Sequence, residues 1–299
     1  MIRLEGTSGS EITTAINRER HRMGSPTTGM VLTLLILADE SSQSDATAAA
    51  VAAARLHPMR IVTFIPRPQD RETRLDAEIS VGGDDGPGEV AVLRLRGLLA
   101  EHANSVAVPL LLPDTPVVAY WPTHAPSVPG DDPIGRHAQR RITDSAAAPD
   151  PLRALLIRQQ GYQPGDTDLT WSRLTPWRSL LATIFDGPVS KVESGIVRGE
   201  AGDASVLLLA TWLERSLRVA IDIEWDAGPG ITSVCIATRT GDVRVDRPDG
   251  SMAVLSRPGS PQAQIALPRR DLAALLAEEL RRLDPDETYQ RVIEGVRHG

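Results

Sequence analysis

Two segments of this sequence carry the side chains that could do chemistry. In GRHAQRRITDS, helical spacing would put Arg136 one turn from Arg140 and His137 one turn from Arg141. Cations gathered on one or two turns can hold a phosphate or a partner's carboxylates, because guanidinium forks match oxyanion geometry. The plainer reading is a solvated basic face, or internal pairing with Asp131, Asp132 and Asp144. VVAYWP brings Trp121 to the end of an apolar segment. WSRLTPWR sets Trp171, Arg173, Trp177 and Arg178 around a helix start. Aromatics belong to cores by default, yet Trp beside Arg is also the composition of binding hot spots. Three of the 5 Trp and two of the 3 Tyr fall between Val108 and Arg178, in a chain only 3% aromatic. The candidate partner or anion surface is therefore Trp121, Arg136, Arg140, Arg141, Trp171, Arg173 and Trp177.

Other chemistries find less. The loop GGDDGPG, Gly82 to Gly88, follows a strand as a phosphate cradle would. Asp84, Asp85 and nearby Glu89 would repel a phosphate, and no Lys follows, so it reads as a tight acidic turn. It also lacks the ligand spacing of an EF-hand. Histidines 21, 57, 102, 124, 137 and 298 include no pair at metal-ligand spacing and no HExxH. There is no GxSxG elbow and no evident Ser, His and Asp set. The one cysteine, Cys235, sits in TSVCIAT, where a lone thiol in an alternating strand is a small core residue. No catalytic, cofactor-binding or metal residue is assigned, and no cofactor is expected.

These segments need a scaffold, and composition bounds it. At 299 residues the chain has room for two domains; 41% hydrophobic and 24% charged residues are ordinary for a globular protein. A net charge of -7 lacks the basic footprint that nucleic-acid binding needs. One cysteine excludes an internal disulfide or a cysteine-based zinc site. MIRLEGTSGSE has no basic, then apolar, leader pattern, and MVLTLLILA is far shorter than the roughly 20 residues of a membrane span. A cytoplasmic protein without membrane or nucleic-acid partners is expected.

Along the chain, Ser8 and Glu11 have capping-box spacing before a helix over Glu11 to Met23, which Gly24, Ser25 and Pro26 should end. A strand at Met30 to Ala38, a helix at Asp45 to Leu56 and a strand at Met59 to Ile65 make a βαβ unit. Strands follow at Arg74 to Val81 and Glu89 to Leu95. A short helix is expected at Leu98 to Ala103, then β segments at Val106 to Leu112 and Thr115 to Trp121. Ile134 to Thr143 reads as helical, with helices at Leu152 to Gln160 and from Thr175-Pro176 to Phe185, closed by Gly187-Pro188. Beyond Lys191 the pattern is strand, buried helix from Asp203, and strands to Ser256, with a hairpin at Pro248-Asp249-Gly250. Two amphipathic helices, Pro268 to Leu283 and Asp284 to Val296, finish the chain. The expected fold is α/β, with α+β character in the C-terminal part. It consists of two α/β units with mixed sheets joined by a helix- and loop-rich middle, cut as residues 1–150 and 151–299.

Several long blocks then resemble a known family. VPLLLPDTPVVAYWP, DPIGRHAQRRITDS and GYQPGDTDLTWSRLTPWRSLLA are similar to the central blocks of the OpcA family, glucose-6-phosphate dehydrogenase assembly proteins, in their actinobacterial form. HPMRIV, VGGDDGPGEVAVLRLRG and LPRRDLAALLAEELRRLDPDETY match the outer blocks in the same order, so the resemblance runs from Met30 to Tyr289. It implies a non-catalytic role: binding glucose-6-phosphate dehydrogenase and promoting its active oligomer, an allosteric activation that supports NADPH supply in the oxidative pentose phosphate pathway. Cyanobacterial relatives are linked to thioredoxin and cysteine pairs; with Cys235 alone, that dithiol switch does not carry over. The alternative is a sensor that binds a sugar phosphate at Arg136 to Arg141.

Overall fold

The computed structural model describes residues 1–23, 30–82, 88–185 and 190–297. The expected helix stop at Gly24 to Pro26, the interior of the glycine loop, Gly187-Pro188 and His298 lie outside them. The chain forms two compact units that are not contiguous in sequence. The first comprises Met1–Asp144, Gln163–Thr167 and Asp271–Pro285; the second comprises Ser145–Tyr162, Asp168–Arg270 and Asp286–Gly299. The fold is α/β, as expected, with one mixed sheet of 8 strands and another of 6.

The first unit is built on β1 (Ile2–Leu4), β2 (Leu32–Leu37), β3 (Met59–Arg67), β4 (Arg74–Val81), β5 (Glu89–Arg96), β6 (Val117–Trp121), β7 (Arg140–Thr143) and β8 (Asp166–Asp168). Their order is β1-β4-β5-β3-β2-β6-β7-β8. LTLLIL is apolar almost throughout because β2 lies between two parallel neighbours, β3 and β6, with both faces covered. β4 alternates buried and half-exposed residues because it pairs antiparallel with β1 and β5 towards one edge. Helix α1 (Gly9–Met23) begins at the expected capping box: the Ser8 amide donates to Glu11 Oε2 at 2.9 Å, and the Glu11 amide to Ser8 Oγ at 3.3 Å. Helix α2 (Gln43–Ala54) is the crossover of the βαβ unit, and its alanines let neighbours approach closely.

Two expectations fail here. The run expected as a strand at Val106 to Leu112 is instead α3 (Ala103–Ala107), followed by a 3-10 turn at Val108–Leu110. Val106, Ala107 and Leu110 face inward at helical spacing, and periodicity cannot separate the two states in so short an apolar run. Ile134 to Thr143 is not a helix. It is a 3-10 turn at Gly135–His137 and then strand β7, parallel to β6. Gly135 explains the tight turn: a Cβ there would meet the Pro129 carbonyl oxygen at 1.8 Å and the Trp121 ring at 3.3 Å.

A buried triad of charges also lies in this unit. Glu89 opens β5 with a carboxylate between Arg20 of α1 (Nε to Oε1, 2.6 Å) and Arg60 of β3 (Nε to Oε2, 2.7 Å). Arg60 gives Nη1 to the Leu110 carbonyl at 2.7 Å, and burial pulls its pKa down against the pull of Glu89.

Asp39 holds the turn from β2 into α2. Its Oδ1 accepts from the hydroxyls of Ser41 and Ser42 at 2.7 and 2.9 Å, and from their amides at 3.0 and 2.8 Å. The Ser41 hydroxyl leads, burial opposes, and the remaining donors carry the carboxyl down to about 2. A depressed carboxyl adds stability above its unfolded pKa, about 3.9, and loses it as pH falls through the folded value. Asp39→Asn is therefore expected to flatten the fall in urea midpoint between about pH 5 and about pH 2.5, by roughly 1 kcal/mol after screening of a partly exposed group. An unchanged slope would contradict this.

The second unit's sheet runs β10-β9-β11-β12-β13-β14. Its strands are β9 (Val192–Glu200), β10 (Ile221–Asp226), β11 (Ile231–Thr238), β12 (Val243–Asp246), β13 (Met252–Arg257) and β14 (Ser260–Ala266). Between β9 and its parallel neighbour β10 runs α7 (Ala204–Leu217), apolar nearly all round and capped by Asp203, whose side chain accepts from the Ser205 amide. The expected hairpin joins β12 to β13. Strand β14 was not expected because SPQAQIA is exposed almost throughout and does not alternate; Pro258-Gly259, with Gly259 at φ 69°, was its turn signal. Helices α4 (Pro151–Gln160), α5 (Leu169–Arg173), α6 (Thr175–Phe185) and α9 (Glu287–Ile293) complete this unit. The other terminal helix, α8 (Leu272–Arg281), packs on α2 in the first.

Candidate functional site

The seven sequence candidates divide between the units. Trp121, Arg136, Arg140 and Arg141 lie in the first; Trp171, Arg173 and Trp177 lie in the second. Because β7 is a strand, Arg140 and Arg141 point to opposite faces rather than joining Arg136 and His137 on a helix. Arg140 pairs with Glu279 of α8 and gives Nη1 to the Asp284 carbonyl at 2.9 Å. Arg141 pairs with Asp166 and donates to the carbonyls of Ala138 at 3.0 Å and Pro164 at 2.6 Å. Both guanidinium groups are buried and matched by carboxylates other than the three weighed from sequence. The anion-binding face expected at Arg136 to Arg141 does not assemble. Arg136 is exposed, and His137 Nε2 lies 2.7 Å from Asn104 Oδ1.

All three tryptophans are buried in the cores of their own units. Trp121 ends β6 and shares a core cluster with Ile134 and Ala138. Trp171 donates its indole N–H to Asp286 Oδ2 at 2.9 Å, stacks under the Arg178 guanidinium at 3.6 Å, and tilts against Tyr289 with ring centroids 5.8 Å apart. Asp286 caps α9 through the amides of Thr288 and Tyr289. Burial works against its ionisation, but the Tyr289 amide, the indole, the Thr288 amide and Arg178 outweigh it and hold the carboxyl low. The thiol of Cys235 is half-buried on β11; burial pushes its pKa up, with Arg244 pulling the other way.

The second unit also contains a cavity of about 820 Å³. Arg173 and Trp177 line it with three arginines that sequence reasoning passed over: Arg247, Arg269 and Arg270. Each of its carboxylates accepts a backbone amide. Asp150 accepts from the Arg153 amide at 3.0 Å, Glu200 from the Gly230 amide at 2.8 Å, and Asp203 from the Ser205 amide at 2.8 Å. Arg247 is 5% exposed, gives Nη1 to the Leu267 carbonyl at 3.0 Å and Nη2 to that of Ile231 at 2.9 Å, and lies over the Trp177 ring at 4.9 Å. Burial first, then repulsion by Arg269, brings its pKa down to about 10 despite Asp249 and Asp203. The sequence signal was slight: two arginines after Pro268 and one in VDRPDG, far apart in the chain.

Two family models match adjoining stretches of the chain: the glucose-6-phosphate dehydrogenase subunit N-terminal domain over residues 50–160 and the C-terminal domain over residues 164–293. The chain belongs to the OpcA family. An OpcA relative from Synechocystis sp., described as an OxPP cycle protein, is 26% identical over 194 residues. That match covers 60% of this chain and 41% of the relative, so the chain spans less than half the length of the curated OpcA protein it matches. Among solved structures, an oxidoreductase domain protein from Kribbella flavida aligns with a TM-score of 0.51 at 8% identity, over 90% of this chain and 95% of that one. At that identity the likeness is one of fold alone. The 3-ketoreductase KijD10 from Actinomadura kijaniata aligns at 0.47 and 11% identity, over 89% and 95%. No helix among the described residues is long and apolar enough to cross a membrane.

Proposed function

We propose that this chain is a non-catalytic cytoplasmic partner of glucose-6-phosphate dehydrogenase that binds the enzyme and favours its active oligomer. The observation that carries the reading is the pair of subunit-family matches, which together cover residues 50–160 and 164–293. Activation of this kind is a population shift. The chain raises activity only by as much as it binds the active oligomer better than the inactive form. In this reading the buried Trp121, Arg140 and Arg141 support the first unit's surface, from which Arg136 reaches the partner directly.

Mixing the purified chain with the dehydrogenase is expected to give a larger co-eluting species and a higher initial rate. Arg136→Glu should weaken both by about tenfold if its charge meets a carboxylate. Absence of co-elution together with an unchanged rate would overturn the partner reading.

A further inference from the structure

The cavity in the second unit holds a buried cation, Arg247, that Asp249 and Asp203 attract but that makes no salt bridge among the described residues. The Arg247 guanidinium is buried, its two terminal nitrogens serve neutral carbonyls, and Nε has no hydrogen-bond partner. A buried cation without a carboxylate is costly. Arg269 lies on the same wall and interacts unfavourably with it. Arg269 is exposed, and among the described residues it makes no ion pair. The Trp177 indole N–H is likewise buried without a partner. In a chain of net charge -7, this cavity gathers four arginines, Arg173, Arg247, Arg269 and Arg270, against three carboxylates, Asp150, Glu200 and Asp203. Asp203 caps α7, so that helix end adds its dipole but not a free Ser205 amide. An oxyanion entering here would offset both guanidinium charges at once. The volume, about 820 Å³, admits a nucleotide-sized molecule.

We propose that this cavity binds an organic phosphate, a phosphomonoester of pentose-phosphate to nucleotide size, through Arg247 and Arg269 beside the Trp177 ring. The site goes beyond the partner reading and is tested on the full chain alone. In ¹⁵N-labelled protein, the Trp177 indole resonance, assigned by its loss in Trp177→Phe, is followed during titration with ribose 5-phosphate and AMP, then with ribose and adenosine. The two phosphates are expected to move it and the parent nucleosides and sugars are not. Arg269→Ser should weaken binding by about tenfold or more, because a charge-assisted contact is lost, while the melting temperature of the unliganded chain stays unchanged. Arg247→Lys, which keeps a cation but not the fork, should weaken it as well. The proposal is overturned if neither phosphate moves the resonance, if the unphosphorylated compounds bind as tightly, or if binding in Arg269→Ser equals wild type.

Discussion

Glu89→Gln is expected to destabilise the first unit by about 3–5 kcal/mol, because it leaves buried cations without their counter-charge. Arg60 and Glu89 are among the most buried charged residues of the unit, and Arg20 reaches the same carboxylate from α1. The substituted amide would keep the shape and could still accept a hydrogen bond, but it could not neutralise two guanidinium groups. Arg60 is almost fully buried, whereas Arg20 is partly exposed and can relax outward. The prediction separates these effects. Arg60→Met added to Glu89→Gln should restore part of the loss, since an apolar side chain in that space carries no stranded charge. Urea unfolding, with hydrogen exchange at β3 and β5 to place the loss in this unit, reads both results. A midpoint unchanged by Glu89→Gln would show that the triad is replaceable.

Trp171→Ala should cost the second unit a similar amount, about 3–5 kcal/mol, through the cavity left by a large buried ring. Three further supports go with it: the indole donor to Asp286, the surface under Arg178, and the edge of Tyr289. Trp171→Phe keeps most of the packing and removes the N–H, so about 1–2 kcal/mol is expected from the lost bond to a carboxylate. The two variants decide what this tryptophan is for. Graded losses in unfolding midpoint identify a core residue. Normal unfolding with lost binding to the dehydrogenase would identify a contact residue and overturn the packing account.

Much of this protein is legible without coordinates. The capping box at Ser8 and Glu11, the two-faced apolarity of LTLLIL, the alternation of Arg74 to Val81 and the Asp-Gly hairpin are local signals, and local physics honours them. The family is legible too, because its blocks are long and in order. Where tertiary context outvotes local pattern, the reading fails. Arg136 to Arg141 has helical spacing, but Gly135 must turn against the Pro129 carbonyl and the Trp121 ring, and the next residues add a strand to β6. α8 has the pattern of the first of a C-terminal helix pair, yet it packs on α2, far earlier in the chain.

The aromatic and basic stretch divides along the same line. Sequence by itself determined that Trp121, Trp171 and Trp177 must be buried somewhere, whether in a core or at a partner, since their area is costly to leave in water. It also determined the α/β class, through periodicity, and the family. Only the tertiary structure decided that each ring is buried in its own unit's core, and that Arg140 and Arg141 are spent on Glu279 and Asp166. It alone gathered Arg247, Arg269 and Arg270 around one cavity. The physical reason is range. Propensity, capping and periodicity act over a few residues, whereas a charge finds its counter-ion, and a cavity its walls, through contacts that chain folding brings together from far apart in sequence.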